Sequence, residues 1–223
     1  MNPSKAKPED FIIVKKRKKY KFARFSELPN CYETKEFTPE VRDDFLRHRS
    51  LTIELGAGTG HFSLELARRH PARAFIAVDV KADRLYQGAR IAAEEDITNI
   101  CFTRAHANQL LDVFNSHSVS ELWLTFPDPY PKKRAAKHRM THPYFLDIYE
   151  QLLQKAGMFH FKTDNQPFFL WSLEQLVAKK MQLTFLTFDL HESEAPGDYK
   201  VQTVYEKRYS AESKPIWALD VVM

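Results

Sequence analysis

From Leu51 to Lys180, short apolar runs alternate with amphipathic stretches, and this order restricts the fold more than any other feature of the chain. The apolar runs suit strands covered on both faces of a sheet, and the stretches between them have helical periodicity. Strands are predicted at LTIEL, AFIAVDV, NICFTRA, ELWLTF and GMFHFKT, and helices at HFSLELARRH, KADRLYQGARIAAEE, THPYFLDIYEQLLQK and QPFFLWSLEQLVAKK. Strict alternation of strand and helix predicts an α/β fold with a doubly wound, mostly parallel sheet.

The pattern changes after Gln182. The segments LTFLTFDL and YKVQTVYEKRY flank the turn-rich segment SEAPGD. A turn of this composition between two strand-like segments predicts an antiparallel strand pair at the end of the sheet. Trp217 has no role in this prediction.

The length of the chain, 223 residues, suits one sizeable domain. We expect residues 41–223 to form that domain and residues 1–40 to form a basic, partly flexible arm. No apolar run approaches the roughly 20 residues that cross a bilayer, and the basic first segment does not resemble a signal peptide. These features predict a cytoplasmic protein without membrane contact, and they are equally compatible with a monomer and a homodimer.

Metal ligands are not evident in the sequence. Cys31 and Cys101 are far apart and have no CxxC partner, while His138 and His142 have no third ligand nearby. We therefore expect no metal site.

Positive charge is concentrated in two segments. Residues 1–24 hold nine Lys or Arg against two Asp or Glu, and KKRAAKHR at residues 132–139 holds five Lys or Arg and no acid. The rest of the chain is acidic on balance. Such polarised charge suits a polyanion that contacts one face of the protein. A solubilising tail and a solvated loop are the alternative interpretation.

Three of the six glycines lie together in IELGAGTG, directly after the first predicted strand. A glycine loop between a strand and a helix lets the backbone turn sharply and come close to a ligand. The position that would complete a dinucleotide-binding G-x-G-x-x-G motif is His61, which argues against a nicotinamide cofactor. Glu54 precedes the loop and Asp79 ends the second predicted strand. Helix capping or ion pairing is the simpler interpretation of both acids.

The segment FPDPYPKKR follows the fourth predicted strand and holds three prolines in five residues. Proline stiffens a loop, and the carboxyl ends of strands are where open α/β sheets bind ligands. Asp128 and Tyr130 are therefore expected to be held rigidly beside a cluster of cations.

These motifs identify a family resemblance. The pattern from Glu54 to Gly60 is similar to the first motif of class I methyltransferases, which have a seven-stranded, Rossmann-like sheet. FPDPYPKKR resembles the FPDPWPKKRH loop of bacterial tRNA (guanine-N7)-methyltransferases, with Tyr130 in place of Trp. Two more fragments of that family follow in order, Thr163-Asp164 and Thr203-Val204-Tyr205-Glu206.

The resemblance implies an enzyme that transfers a methyl group from S-adenosylmethionine to N7 of a guanine in the variable loop of tRNA. Asp128 would be the catalytic residue. The implied cofactor-binding residues are Glu54, Gly56, Gly58, Gly60, Asp79, Asn108 and Asp128. The implied substrate-binding residues are Lys132, Asp164, Thr203, Val204, Tyr205 and Glu206.

Three other functions remain open from the sequence. An exocyclic-amine methyltransferase also carries an acidic or amide residue, prolines and an aromatic residue after its fourth strand, but Pro129 is followed at once by Tyr130 rather than by a second proline. A non-catalytic RNA-binding protein with a vestigial cofactor fold would not need Glu54, Asp79, Asp128 and Asp164 together. A nicotinamide-dependent reductase is disfavoured by His61.

Overall fold

The computed structural model describes residues 24–47, 49–195, 197–203, 206 and 214–223. These residues form one eight-stranded sheet with helices on both faces. The strands are β1 (Cys31–Glu33), β2 (Leu51–Leu55), β3 (Ala74–Asp79), β4 (Ile100–Arg104), β5 (Val119–Thr125), β6 (Leu153–Thr163), β7 (Gln182–Thr187) and β8 (Trp217–Val222). The helices are α1 (Pro39–Leu46), α2 (His61–Arg69), α3 (Ala82–Glu94), α4 (Leu110–Val113), α5 (Pro143–Leu152) and α6 (Gln166–Ala178).

The strand order is β1-β4-β3-β2-β5-β6-β8-β7. Strands β1 to β6 pair in parallel, whereas β8 runs antiparallel to both β6 and β7. From β2 the chain first builds outward to β3 and β4, and then returns to β5 on the other side of β2. This reversal is the point at which doubly wound sheets bind ligands. The predicted fold class is therefore confirmed.

Alternate residues of the strands enter two hydrophobic cores, one on each face of the sheet. In β3, Ile76 packs in the core beneath α5 and α6, whereas Phe75 packs in the core beneath α2 and α3. Because both faces are covered at the centre of the sheet, β2 is buried throughout and β3 is buried up to Asp79, which agrees with the apolar runs in the sequence. Phe168 and Phe169 are buried in the first core.

The antiparallel pair has a different second strand from the one predicted. The partner of Gln182–Thr187 is β8, while Tyr199 and Lys200, the first residues of the predicted strand, lie in the 3-10 turn Gly197–Lys200. Strand β8 inserts between β6 and β7, where Ala218, Leu219 and Val221 are fully buried. The acid at the centre of this strand, Asp220, interrupts the apolar pattern by which a buried strand is predicted. In the structure its carboxylate accepts a hydrogen bond from the Tyr199 hydroxyl and lies 2.7 Å from His160 Nδ1.

The sheet also has one strand more than the predicted seven. Cys31–Glu33, within the segment predicted as an arm, pairs with β4 at the edge of the sheet. Residues 1–23, which carry most of the charge of that arm, lie outside the described residues. Among the helices that the structure does describe, none is long and apolar enough to cross a membrane.

Candidate active site

A cavity of about 810 Å³ opens at the carboxyl ends of the central parallel strands. Its lining comes from the segments that follow β2, β3, β4 and β5, and from the start of α5. Seven of the residues that the resemblance implies line it: Glu54, Gly56, Gly58, Asp79, Asn108, Asp128 and Thr203. The fold thus brings together residues that lie up to 149 positions apart in the sequence, from Glu54 to Thr203.

The glycine loop forms the wall of the cavity between β2 and β3. All three of its glycines have positive φ, from 58° at Gly58 to 73° at Gly56. Gly60 lies behind the loop rather than in the lining, at the start of α2. A Cβ atom there would come within 2.6 Å of the Phe102 ring, so Gly60 serves the close packing of the loop against β4.

Asp79 stands at the end of β3 and is fixed by the backbone. Its Oδ2 accepts a hydrogen bond from the Gly58 N–H at 2.8 Å, and its Oδ1 accepts one from the Lys81 N–H at 2.8 Å. Each carboxylate oxygen keeps a lone pair for another donor. The N-cap of α3 is Lys81, without a side-chain capping bond, so the simpler interpretation of Asp79 as the helix cap is wrong. Asp79 instead presents oriented acceptors to the cavity.

Glu54 forms the floor of the cavity and is 3% exposed. Its Oε2 accepts hydrogen bonds from the Ser63 hydroxyl at 2.6 Å and the Ser63 N–H at 3.2 Å, and its Oε1 accepts one from the Thr125 hydroxyl at 2.8 Å. Burial raises the pKa of Glu54 to about 7, although these hydrogen bonds and the charge of Lys162 act in the opposite direction. The carboxyl group is thus poised to change its charge near neutral pH.

A buried ion pair lies beside this floor. Lys162 Nζ is 2.8 Å from Glu206 Oε2 and 3.1 Å from the Val201 carbonyl oxygen, and it lies 4.6 Å from the centre of the Phe62 ring. Burial lowers the pKa of Lys162 despite its acidic partner. Glu206 also accepts a hydrogen bond from the Thr203 N–H at 2.7 Å. The pair therefore fixes Thr203 at the cavity wall.

The loop after β5 forms the opposite wall. Asp128 is exposed at its tip, and two of its non-glycine residues, Phe126 and Tyr130, have positive φ values of 48° and 43°. Such a backbone is costly for residues with a Cβ atom and is typical of functional loops.

Several implied substrate residues do not line the cavity, as far as the described residues define it. Lys132 and Asp164 are exposed outside the lining, and Glu206 is buried behind it. Val204 and Tyr205 lie outside the described residues. The described part of the chain also holds no group of three His, Cys, Asp or Glu side chains that could bind a metal ion.

Several residues of the site were not predicted from the sequence. Thr125 and Ser63 hold Glu54, Lys162 holds Glu206, and Met140, Tyr144 and Phe145 add an apolar wall to the cavity. Lys162 did leave a signal, because a lone lysine in an apolar strand is buried only when it is paired. The apolar wall, from Met140 and the start of α5, left no such signal, since its residues resemble ordinary core positions in the sequence.

Comparisons with known proteins agree with this geometry. Residues 48–219 match a family model described as "Putative methyltransferase". The tRNA (guanine-N(7)-)-methyltransferase of Brevibacillus brevis is 37% identical over 179 residues, covering 80% of this chain and 83% of that protein. The enzyme of the same name from Listeria monocytogenes serotype 4a is 36% identical over 207 residues, covering 92% and 96%.

Solved structures share the fold at lower identity. The 16S rRNA methyltransferase KamB superposes with a TM-score of 0.65 at 16% identity, covering 84% of this chain and 94% of that one. The 30S ribosomal A1408 methyltransferase from an uncultured bacterium has a TM-score of 0.61 at 16% identity, covering 82% and 91%. These structures show the class I methyltransferase fold, and the sequence relatives establish that the chain belongs to the tRNA (guanine-N7)-methyltransferase family.

Proposed function

We propose that this protein transfers a methyl group from S-adenosylmethionine to N7 of a guanine in the variable loop of tRNA, in the cytoplasm. The observation that carries the proposal is that Asp128, in the FPDPYPKKR loop, lines the same cavity as the glycine loop and Asp79. The curated relatives from Brevibacillus brevis and Listeria monocytogenes carry the name of this activity.

The cavity fits S-adenosylmethionine in size and in chemistry. Its volume of about 810 Å³ lies in the range of small-molecule and cofactor sites, about 300–1,000 Å³. The oriented carboxylate of Asp79 suits two ribose hydroxyls, as in other nucleotide-binding sheets. The glycine loop and Glu54 offer donors and acceptors for the amino and carboxylate ends of the methionine part.

The bound cofactor supplies an electrophilic methyl group on a sulfonium. Guanine N7 has an in-plane lone pair and no proton, so the protein does not need a base to activate it. The residues must instead align the two reactants, exclude water and stabilise the positive charge that moves onto the base. Asp128 is exposed at the cavity wall, where its carboxylate can accept hydrogen bonds from the N1 and N2 groups of the guanine. We assign Asp164, at the end of β6, the same role from the outer rim.

The exposed cations beside Asp128 suit the RNA backbone. Lys132, Lys133, Arg134 and Lys137 are all exposed and follow Asp128 within nine residues. Phosphate contacts of this kind orient an RNA without reading its sequence. The base itself must be exposed to enter the cavity, which a guanine in a loop allows.

The experiment combines the purified protein, unmodified tRNA transcripts and S-adenosylmethionine, and identifies the methylated nucleoside by mass spectrometry. We expect 7-methylguanosine from the wild-type protein and a loss of at least about 100-fold in Asp128→Asn, since a loss of that size follows removal of one group that stabilises transition-state charge. Asp112→Asn is the matched control, because Asp112 is exposed on α4 and outside the cavity lining.

Other products would change the assignment. A methylated exocyclic amine would indicate an amine methyltransferase, and cofactor binding without any product would indicate a different substrate. An ionisation in the pH profile of the wild-type rate that disappears in Asp128→Asn would identify Asp128 as an essential base and contradict its positioning role.

A further inference from the structure

Arg139 ends the basic segment KKRAAKHR, but its side chain faces inward. Its Nε donates a hydrogen bond to the Pro129 carbonyl at 3.0 Å, and its Nη2 donates one to the Tyr130 carbonyl at 3.1 Å. These two carbonyls directly follow Asp128 in the sequence. The guanidinium fork therefore holds the backbone of the loop that carries the proposed catalytic carboxylate.

The other side of the guanidinium rests on α6. Its central carbon lies 4.4 Å from the centre of the Trp171 ring and 5.9 Å from that of Phe168. Two residues further on, the Thr141 hydroxyl is 2.6 Å from the Ser172 hydroxyl. Because Phe168 is itself buried against Phe161 of β6, the contacts of Arg139 connect the Asp128 loop to the rigid body of the fold.

The loop needs an external donor of this kind. Prolines at 127, 129 and 131 have no N–H group, so the loop has few backbone donors with which to hold itself. Phe126 and Tyr130 also adopt left-handed conformations, which persist only where neighbouring groups enforce them. A planar guanidinium that stacks on an aromatic ring and donates two bonds provides that support, and an ammonium group cannot reproduce it.

The exposure of the basic segment separates Arg139 from its neighbours. Lys132, Lys133, Arg134 and Lys137 are exposed, whereas Arg139 is half-buried. The charges of the first four are available to a polyanion, while the donors of Arg139 are directed at two carbonyls of the protein itself.

We propose that Arg139 is a positioning residue, which holds the Asp128 loop in its active conformation, and not a phosphate contact of the basic segment. The proposal rests on the proposed function for its effect on the rate. Its effect on the conformation of the loop is independent of that function.

The main test is Arg139→Lys, which keeps the charge and removes the planar fork. We expect kcat for 7-methylguanosine formation, at saturating tRNA and S-adenosylmethionine, to fall at least tenfold. The Kd for tRNA and its salt dependence should stay within about twofold of wild type, because the charge is retained. Lys137→Ala is the matched contrast: it should raise KM for tRNA and reduce the salt slope by about one. Trp171→Leu, which removes the stack without changing any charge, should lower kcat in the same way as Arg139→Lys.

Limited trypsin digestion of the free protein measures how accessible the loop is, and it does not depend on methyl-transfer activity. In Arg139→Lys we expect cleavage after Lys132, Lys133 or Arg134 to be at least fivefold faster than in wild type, with an unchanged melting temperature showing that the fold is intact. Wild-type cleavage rates in Arg139→Lys would overturn the proposal, as would a wild-type kcat. If the wild-type protein makes no 7-methylguanosine, the proposed function fails, and the digestion alone decides whether Arg139 positions the loop.

Discussion

The two walls of the cavity are held in different ways. The glycine-loop wall, formed by residues 54–60 and Asp79, is fixed by bonds to the ends of adjacent strands and to the first turn of α2, such as Gly58 N–H to Asp79, and Thr125 and Ser63 to Glu54. The opposite wall, formed by residues 126–139 and Thr203, depends on contacts with distant segments. Arg139 reaches α6 across 32 positions, and Lys162 reaches Glu206 across 44.

This difference separates two kinds of failure. A wall built from neighbouring strand ends forms whenever the sheet forms, so substitutions there should act mainly on the cofactor. A wall that joins distant segments depends on each long-range contact, so substitutions there should act on stability and on the methyl-transfer rate. Lys162 is where the two walls meet, because its charge also acts on Glu54.

The largest effect should come from removing the buried charge that holds the opposite wall. Lys162→Met leaves the Glu206 carboxylate, which is 0% exposed, without its cation. Removing one partner of a buried ion pair costs about 3–5 kcal/mol, so we expect the free energy of unfolding to fall by about that amount. Urea denaturation at pH 7.5 measures the loss.

Two further variants show whether the buried charge is the cause. Lys179→Met breaks the more exposed pairs with Asp147 and Glu150 and should cost less than about 1 kcal/mol. Lys162→Met/Glu206→Leu removes both charges and should recover most of the stability. Equal losses of the free energy of unfolding in Lys162→Met and Lys179→Met would show that the opposite wall does not depend on the pair of Lys162 and Glu206.

The same division explains what the sequence could predict. The glycine loop, Asp79 and the prolines around Asp128 each form a short pattern, and parallel strands place such patterns at one edge of a sheet. The buried role of Glu206 was not predictable, because it depends on Lys162 of β6, which lies 44 positions earlier in the sequence. Arg139 was counted with the exposed cations, since the sequence does not reveal which member of a basic run faces inward.

The terminal strand shows a similar limit. WALDVV contains an acid at its centre, and a buried strand is not expected to contain an unpaired charge. The partners of Asp220, His160 and Tyr199, come from separate segments. Only the assembled sheet makes the strand compatible with burial.

A second prediction concerns the pH dependence of the stability, which follows from the burial of Glu54 in the glycine-loop wall. The pKa of Glu54 is raised from 4.5 in the unfolded chain to about 7 in the fold. Below pH 4.5 the carboxyl group is protonated in both the folded and the unfolded state, so its full contribution to the stability is present. As the pH rises to about 7, the unfolded state loses the proton first, so the stability contributed by this group falls by about 3 kcal/mol.

Urea denaturation between pH 5 and pH 8 tests this sign. Glu54→Gln should remove that part of the decline. The free energy of unfolding of the variant, relative to that of the wild type, should therefore increase as the pH rises. Glu65→Gln is the control, because Glu65 lies on α2 outside the cavity lining and pairs with Arg68 and Arg69. It should leave the wild-type pH dependence unchanged. Parallel curves for Glu54→Gln and the wild type would mean that the floor of the cavity does not titrate in this range.

The smallest effect should appear where the glycine-loop wall packs against α3. Gly88 lies in α3, and a Cβ atom there would overlap the carbonyl oxygen of Thr59 in the glycine loop. Forcing extra atoms into a packed site costs about 1–3 kcal/mol, and the about 1 kcal/mol by which alanine favours a helix over glycine offsets part of that cost. Gly88→Ala should therefore lower the free energy of unfolding by no more than about 2 kcal/mol. The loop must nevertheless shift, and we expect the affinity for S-adenosylmethionine, measured by calorimetry, to fall about tenfold, or about 1.4 kcal/mol.

Gly197→Ala is the control for this prediction, because no atom lies within 4 Å of a Cβ placed there. It should bind S-adenosylmethionine as the wild type does. Wild-type affinity in Gly88→Ala would mean that the glycine loop tolerates displacement by its supporting helix. The glycine-loop wall would then owe its precision to the bound cofactor rather than to the packing of α3, and the contrast between the two walls would hold only in the complex.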